Sequence, residues 1–250
     1  GPTDFIVMAS DLRALSRAVN KLFKYADDTT LLIPEHTDFS LEDEFMALKR
    51  WSESNKMILN LLKTREIVFH RPNPGLYIPP VPLSDIERVK SVKLLYFSDT
   101  LRFDEHVKYV LTICGQRLYL LKTLRGQGLS PGHINTVFQS LIISRLAYAI
   151  PAWGGFLLQQ QINKIDSFLA RAFRFGYTLK QTTLSNILDE ADEKLYNSVQ
   201  NPKHCIHGLL PPEKKLLTDL RNTHCFQLPI CHYKMFKDSF INRLVFKDAY

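Results

Sequence analysis

The spacing of apolar residues changes period several times along the first third of the chain. Phe5, Met8, Leu12 and Leu15 recur near 3.6 residues and predict a helix over residues 3–18. Leu22-Phe23-Lys24-Tyr25 and Thr29-Thr30-Leu31-Leu32-Ile33 are β-prone runs on either side of Ala26-Asp27-Asp28, and they predict a β-hairpin over 21–33 that ends at Pro34. Ser40 and Asp43 make a capping-box-like start, and Leu41, Phe45, Leu48 and Ser52 trace one face of a helix reaching about Lys56. Further strands are expected at Glu66–Phe69, Val89–Phe97 and Leu101–Phe103. Between the first two lies a connector over 71–82 that holds five of the 13 prolines and so cannot be a central strand. A hairpin, a helix and short strands make an α+β arrangement with helices on one face of a sheet.

From about residue 105 the period becomes helical. Val107, Val110, Leu111, Cys114, Leu118 and Leu121 keep i, i+3, i+4, i+7 spacing until Gly126. Ser130-Pro131 supplies an N-cap followed by proline at the first helical position, and Ile134, Val137, Phe138, Leu141 and Ile142 form the next face, which Pro151 ends. Ile162, Ile165, Leu169 and Phe173 predict a third helix, and residues 184–199 a fourth with a broken fifth. These patterns divide the chain near residue 104 into 1–104 and 105–250.

Charge sharpens that division. Residues 1–104 carry 14 Lys/Arg against 15 Asp/Glu, residues 105–180 carry 9 against 2, and residues 181–250 carry 9 against 8. The net charge of +7 therefore equals the excess of one 76-residue helical stretch. A localised basic surface suits phosphate neutralisation, although a basic face can also be merely solvated. No apolar run reaches the ~18 residues of a membrane span, and no signal peptide is evident. Four irregularly spaced cysteines in a chain of 250 residues argue against a disulfide framework and for an intracellular setting, nucleus or cytoplasm.

The candidate chemistry begins with Asp27 and Asp28. Most such pairs are solvated turn residues, but adjacent carboxylates repel, and a hard cation such as Mg²⁺ relieves that repulsion. What surrounds the pair adds to it: Tyr25-Ala26-Asp27-Asp28, Trp51 on a helix, Asn60-x-x-Lys63-Thr64, and the apolar run Ile67-Val68-Phe69. Further pieces are Gly1-Pro2 with Ile6-Val7-Met8, Phe103-Asp104-x-His106-Val107, Ser144-Arg145-Leu146-x-Tyr148-Ala149-x-Pro151-Ala152-Trp153-Gly154-Gly155, and Leu209-Leu210-Pro211-Pro212. In this order they resemble the reverse transcriptases of non-LTR (LINE-type) retrotransposons, collinearly from residue 1 to about 230.

The resemblance implies an RNA-directed DNA polymerase acting on an RNA template, a DNA primer and deoxynucleotides, with two Mg²⁺ ions. Residues 1–104 would be the end of its palm, and residues 105–250 its helical thumb and extension. Asp27 and Asp28 fall where the family's catalytic, metal-binding carboxylates lie, with Asp27 the more direct ligand. Tyr25 and Ala26 would lie beside the primer end, and Lys63 matches the lysine that neutralises the departing pyrophosphate. Asn60 and Thr64 are expected to fix a turn. Arg117, Lys122, Arg125, Arg145, Arg171 and Arg174 are candidates for contacts to backbone phosphate, without base readout.

The chain also departs from the family. It begins after the strand that carries a further catalytic aspartate, it keeps only the last two residues of the nucleotide-pocket motif, and it lacks the fingers and an initiator methionine. The primer-grip hairpin of the family reads Lys-Leu-Leu-Gly-Val before an aromatic pair, whereas Lys93-Leu94-Leu95 runs directly into Tyr96-Phe97. A fragment or decayed copy fits these departures. The expectation is a polymerase part, inactive as an isolated chain, with a non-catalytic nucleic-acid-binding remnant or adopted module as the alternative. His204-Cys205-x-His207, His224-Cys225 and Cys231-His232 supply zinc-type ligands, but in no paired-ligand spacing; structural zinc and coincidence both stay open.

Overall fold

The computed structural model describes residues 7–72, 75, 77–92, 95–214 and 226–247. Two compact units divide between Val92 and Lys93.

In the first unit, β1 (Lys21–Tyr25) and β2 (Asp28–Leu32) form an antiparallel hairpin in the register Lys21↔Leu32 to Tyr25↔Asp28. The α1 helix (Leu41–Ser54) opens with a complete capping box: Ser40 Oγ accepts from the Asp43 amide, and the Asp43 carboxylate accepts from the Ser40 amide. Phe45 and Ser52 of the expected apolar face are buried, and Leu41 and Leu48 are half-buried.

Two strand expectations shrink. Glu66–Phe69 reduces to β3 (Arg65–Glu66), which pairs in parallel with β4 (Glu87–Arg88). Among the described residues of Val89–Phe97, the strands are β5 (Ser91–Val92) and the start of β6 (Phe97–Ser98), with residues 93 and 94 outside the described residues, and Leu101–Phe103 is not a strand. Leu101 takes φ 54°, a left-handed conformation that no strand accommodates. Among the described residues the sheets are two-stranded and offer helices no broad face; the chain is mixed α and β in the general sense.

The helix expected over 3–18 is also corrected. Among its described residues only Val7–Met8 and the 3₁₀ turn Ala9–Asp11 are helical. The reason lies in Glu44 of α1, which is 3% exposed and draws Leu15 N (2.8 Å), Ser16 N (3.0 Å) and Asn20 Nδ2 (2.8 Å) onto its carboxylate. The Leu15 and Ser16 amides are thereby taken from any helix, a tertiary override of local periodicity.

The second unit is helical. Its elements are α2 (Asp104–Gly126), α3 (Pro131–Phe138), a π-helical turn over Gln139–Ile143, α4 (Ser144–Ala147), α5 (Ile150–Trp153), α6 (Gln159–Arg174) and α7 (Leu184–Val199). After them come α8 (Lys234–Lys237) and α9 (Phe240–Lys247). Cys114, Leu121, Phe138, Ile142, Leu146 and Trp153 form a fully enclosed core. This core also takes in Phe103, Leu95 and Phe97, which is why the compact unit starts earlier than residue 104.

The second helical face stops at Ala147, before Pro151. Ala149 turns to φ 50°, and Pro151 then occupies the first turn of α5, where its missing N–H is harmless. Residues 184–199 form one unbroken helix.

A smaller core gathers Val199, Ile241 and Val245. Beside it Arg243 grips Asp192 with two bonds, Nε to Oδ2 at 2.8 Å and Nη2 to Oδ1 at 2.6 Å, and also donates to Pro151 O (2.8 Å) and Asp238 O (3.2 Å). Gly155 lies so close to this clamp that a Cβ there would stand 2.4 Å from Asp238 O.

Candidate functional site

The hairpin reverses over only two residues, Ala26 and Asp27. Ala26 takes φ 51°, a conformation that costs a residue with a Cβ about 1 kcal/mol or more. Asp27 therefore stands in the turn and Asp28 opens β2, so two consecutive carboxylate-bearing residues lie at an exposed tip. Tyr25 is 85% exposed at the end of β1.

Three contacts that the sequence did not reveal hold the tip in place. Lys24 Nζ reaches back to Ala9 O (2.5 Å) and Leu12 O (3.2 Å). Asn20, just before β1, accepts from Thr37 Oγ1 (2.6 Å) and donates to Phe39 O (3.3 Å), which closes the base of the hairpin. Glu44 then ties Asn20 and residues 15–16 to α1. The one available signal for Glu44 was a charged residue within the stripe that carries Phe45 and Leu48. Trp51 Nε1 donates to Asp11 Oδ1 at 3.1 Å, so the Trp of the motif anchors the same segment.

Lys63 is exposed on the turn Leu61–Lys63, and its ammonium has no partner among the described residues. Asn60 and Thr64 close that turn: Asn60 Oδ1 accepts from Lys63 N (3.2 Å), and Thr64 Oγ1 donates to Asn60 O (2.9 Å).

The six basic candidates separate into two kinds. Arg117 donates to Leu141 O inside the π-helical turn, where the wider backbone disturbs the ordinary helical pairing. Arg125 donates to Phe175 O and lies 4.5 Å from the Tyr177 ring centre. Arg145 donates to Tyr109 Oη (3.1 Å). These three bind the helices together. Lys122, Arg171 and Arg174 are exposed, and none has a hydrogen bond or ion pair among the described residues.

Three buried groups carry shifted titration: Asp192, whose burial raises its carboxyl above the ordinary value against the opposing pull of Arg243, His106 and Cys114. His106 is 6% exposed, with neither ring nitrogen hydrogen-bonded, and its ring stands edge-on to Trp153 at 4.7 Å. Burial, then the charge of Arg145, holds it below the ordinary histidine value. Burial also pushes the Cys114 thiol up to about 11, which keeps it protonated and inert.

As to metals, Mg²⁺ takes oxygen ligands, and the tip offers two adjacent carboxylates. Among the described residues no three His, Cys, Asp or Glu side chains gather, so Asp27 and Asp28 fit a share of a two-metal site and not a whole one. His224 and Cys225 of the zinc alternative lie outside the described residues; His207 Nδ1 is 2.8 Å from Val199 O. Among the described residues no helix is long and apolar enough to cross a membrane. No protein-family model matches the chain, and no curated protein or solved structure is significantly similar to it.

Proposed function

We propose that this chain is the palm end and thumb of an RNA-directed DNA polymerase of the non-LTR retrotransposon kind, inactive by itself. The observation that carries the reading is the two-residue turn, which projects Asp27 and Asp28 together from an anchored hairpin. Its support is threefold: the ordered motifs around that turn, the turn itself, and the basic excess on a separate helical unit. Bound divalent metal would supply charge neutralisation at the reacting phosphate. The chain's own part is to hold two carboxylates in fixed register, to offer Lys63 as a cation, and to present Lys122, Arg171 and Arg174 to the nucleic-acid backbone.

A tip with two carboxylates supports the second reading for the chain taken alone: a nucleic-acid-binding remnant or adopted module without chemistry. Iron-mediated cleavage separates the two. With Fe²⁺ and ascorbate in the presence of an RNA–DNA hybrid, the polymerase reading predicts backbone scission within 21–32 that Asp27→Asn abolishes. Scission that ignores Asp27, or none at the hairpin, would leave only the binding module.

A further inference from the structure

The helices α2 and α6 run parallel. Gln161 Nε2 joins Asp104 Oδ1 (2.8 Å) at their N-terminal ends, and Arg125 donates to Phe175 O at their C-terminal ends. An open cleft of about 470 Å³ lies between them, lined by the apolar Leu111, Gly115 and Phe168 and by the polar Asn163, Lys164, Ser167 and Arg171. No acidic side chain lines it. Lys108 and Lys122 stand seven residues to either side of Gly115, so both fall on the stripe of α2 that faces the cleft, and both are exposed. Neither Lys164 nor Arg171 has an ion pair among the described residues. The Arg171 guanidinium lies over the Phe168 ring, 5.8 Å from its centre.

Gly115 is the informative residue. Glycine inside a helix costs about 1 kcal/mol relative to alanine. Packing does not require it here: a Cβ at Gly115 meets nothing within 4 Å, and its φ is not left-handed. What the missing side chain leaves is an open floor.

We infer that the α2–α6 cleft is a binding site for single-stranded nucleic acid, with one unstacked base over the Gly115 floor and adjacent phosphates on Lys164 and Arg171. This rests on reading the helical unit as nucleic-acid-binding and names which surface and which form of the ligand. The cations alone would serve a duplex equally, because a duplex backbone needs only the rims. The apolar part of the recess, Leu111, Gly115 and Phe168, adds a surface that a duplex backbone does not use and that a base which has left the stack can cover. The planar Arg171 guanidinium offers that base a stacking partner.

The test uses the full chain and fluorescence anisotropy with three probes: an oligo-uridylate about twelve nucleotides long, a blunt duplex of equal length, and poly-glutamate as competitor. Gly115→Leu, whose Cβ meets nothing within 4 Å, covers the floor, and Ser167→Trp fills it from the other wall; circular dichroism verifies the helices of each. Either variant should weaken oligo-uridylate about tenfold and leave the duplex within about twofold. Replacing Lys164 and Arg171 with Glu should weaken both probes, and should reduce the single-strand salt slope by about 1.4. Lys180→Glu, a charge change outside the cleft lining, should do neither.

Three results would overturn the assignment: unchanged oligo-uridylate binding in both filled variants, equal loss for single strand and duplex, or poly-glutamate competing in a Gly115-dependent manner, which marks an acidic-peptide site. Duplex binding without single-strand binding would remove the cleft and leave the wider reading of the unit standing. Failure of that wider reading is seen separately, as no nucleic-acid binding at low salt.

Discussion

At the scale of single residues, the most consequential side chains are buried polar ones whose partners lie far off in sequence. Glu44 is enclosed and accepts three hydrogen bonds, two of them from backbone amides. Glu44→Ala strands those donors and should cost about 1–3 kcal/mol in urea unfolding, whereas Glu44→Gln, which keeps an acceptor, should cost less. His106 behaves in the opposite manner because nothing accepts its proton. Its folded value lies below 6.5, the unfolded value, so the unfolded chain binds more protons as pH falls. Stability should therefore be intact above pH 6.5 and decline below it, by at most about 1.4 kcal/mol per pH unit for one group. Urea midpoints at pH 7.5 and 5.5 check this; His106→Phe should remove that part of the decline, and an unchanged decline would dismiss His106 as its source.

At the scale of elements, what was legible in the sequence was what short-range chemistry decides. The hairpin, the capping box at Ser40 and Asp43, and the stripes of α2 and α6 follow from alternation, caps and 3.6-residue spacing. The tip carboxylates were legible for the same reason, since a two-residue turn leaves little choice of position. Residues 12–18 were misread as helix because Glu44 is brought to them only by the fold, and the structural roles of Arg117, Arg125 and Arg145 depend on carbonyls and rings 24 to 52 residues away. The Trp153-Gly154-Gly155 motif gains its reason only once Asp238 and Arg243 close over Gly155. That clamp makes a sharp prediction. Arg243→Leu leaves Asp192 enclosed without its counter-charge and should cost about 3–5 kcal/mol. Arg243→Lys should recover little of it, because one ammonium cannot reproduce the paired bonds to Asp192 and the contacts to Pro151 and Asp238. Full recovery by lysine in a thermal melt would show that the charge alone matters.

At the scale of the whole molecule, the tip carboxylates and the basic excess lie on different units, so the functions proposed for them should be separable. Binding of an RNA–DNA hybrid should fall steeply with salt, with a log–log slope near −3 to −4 if about four phosphates are engaged. Replacing Lys122, Arg171 and Arg174 with Ala should flatten that slope for all sequences alike. Arg117→Ala should instead lower stability, because its guanidinium serves Leu141. Primer extension on poly(rA) with Mg²⁺ or Mn²⁺ should yield nothing from the chain alone, and Asp27-dependent extension would contradict its inactivity. Whether the tip holds a metal beside nucleic acid is read from paramagnetic broadening by Mn²⁺ in amide NMR spectra of the chain with an RNA–DNA hybrid. Broadening should centre on residues 25–29, strengthen with the hybrid and vanish in Asp27→Asn; broadening elsewhere, or at the tip regardless of Asp27, would refute the polymerase reading of the hairpin.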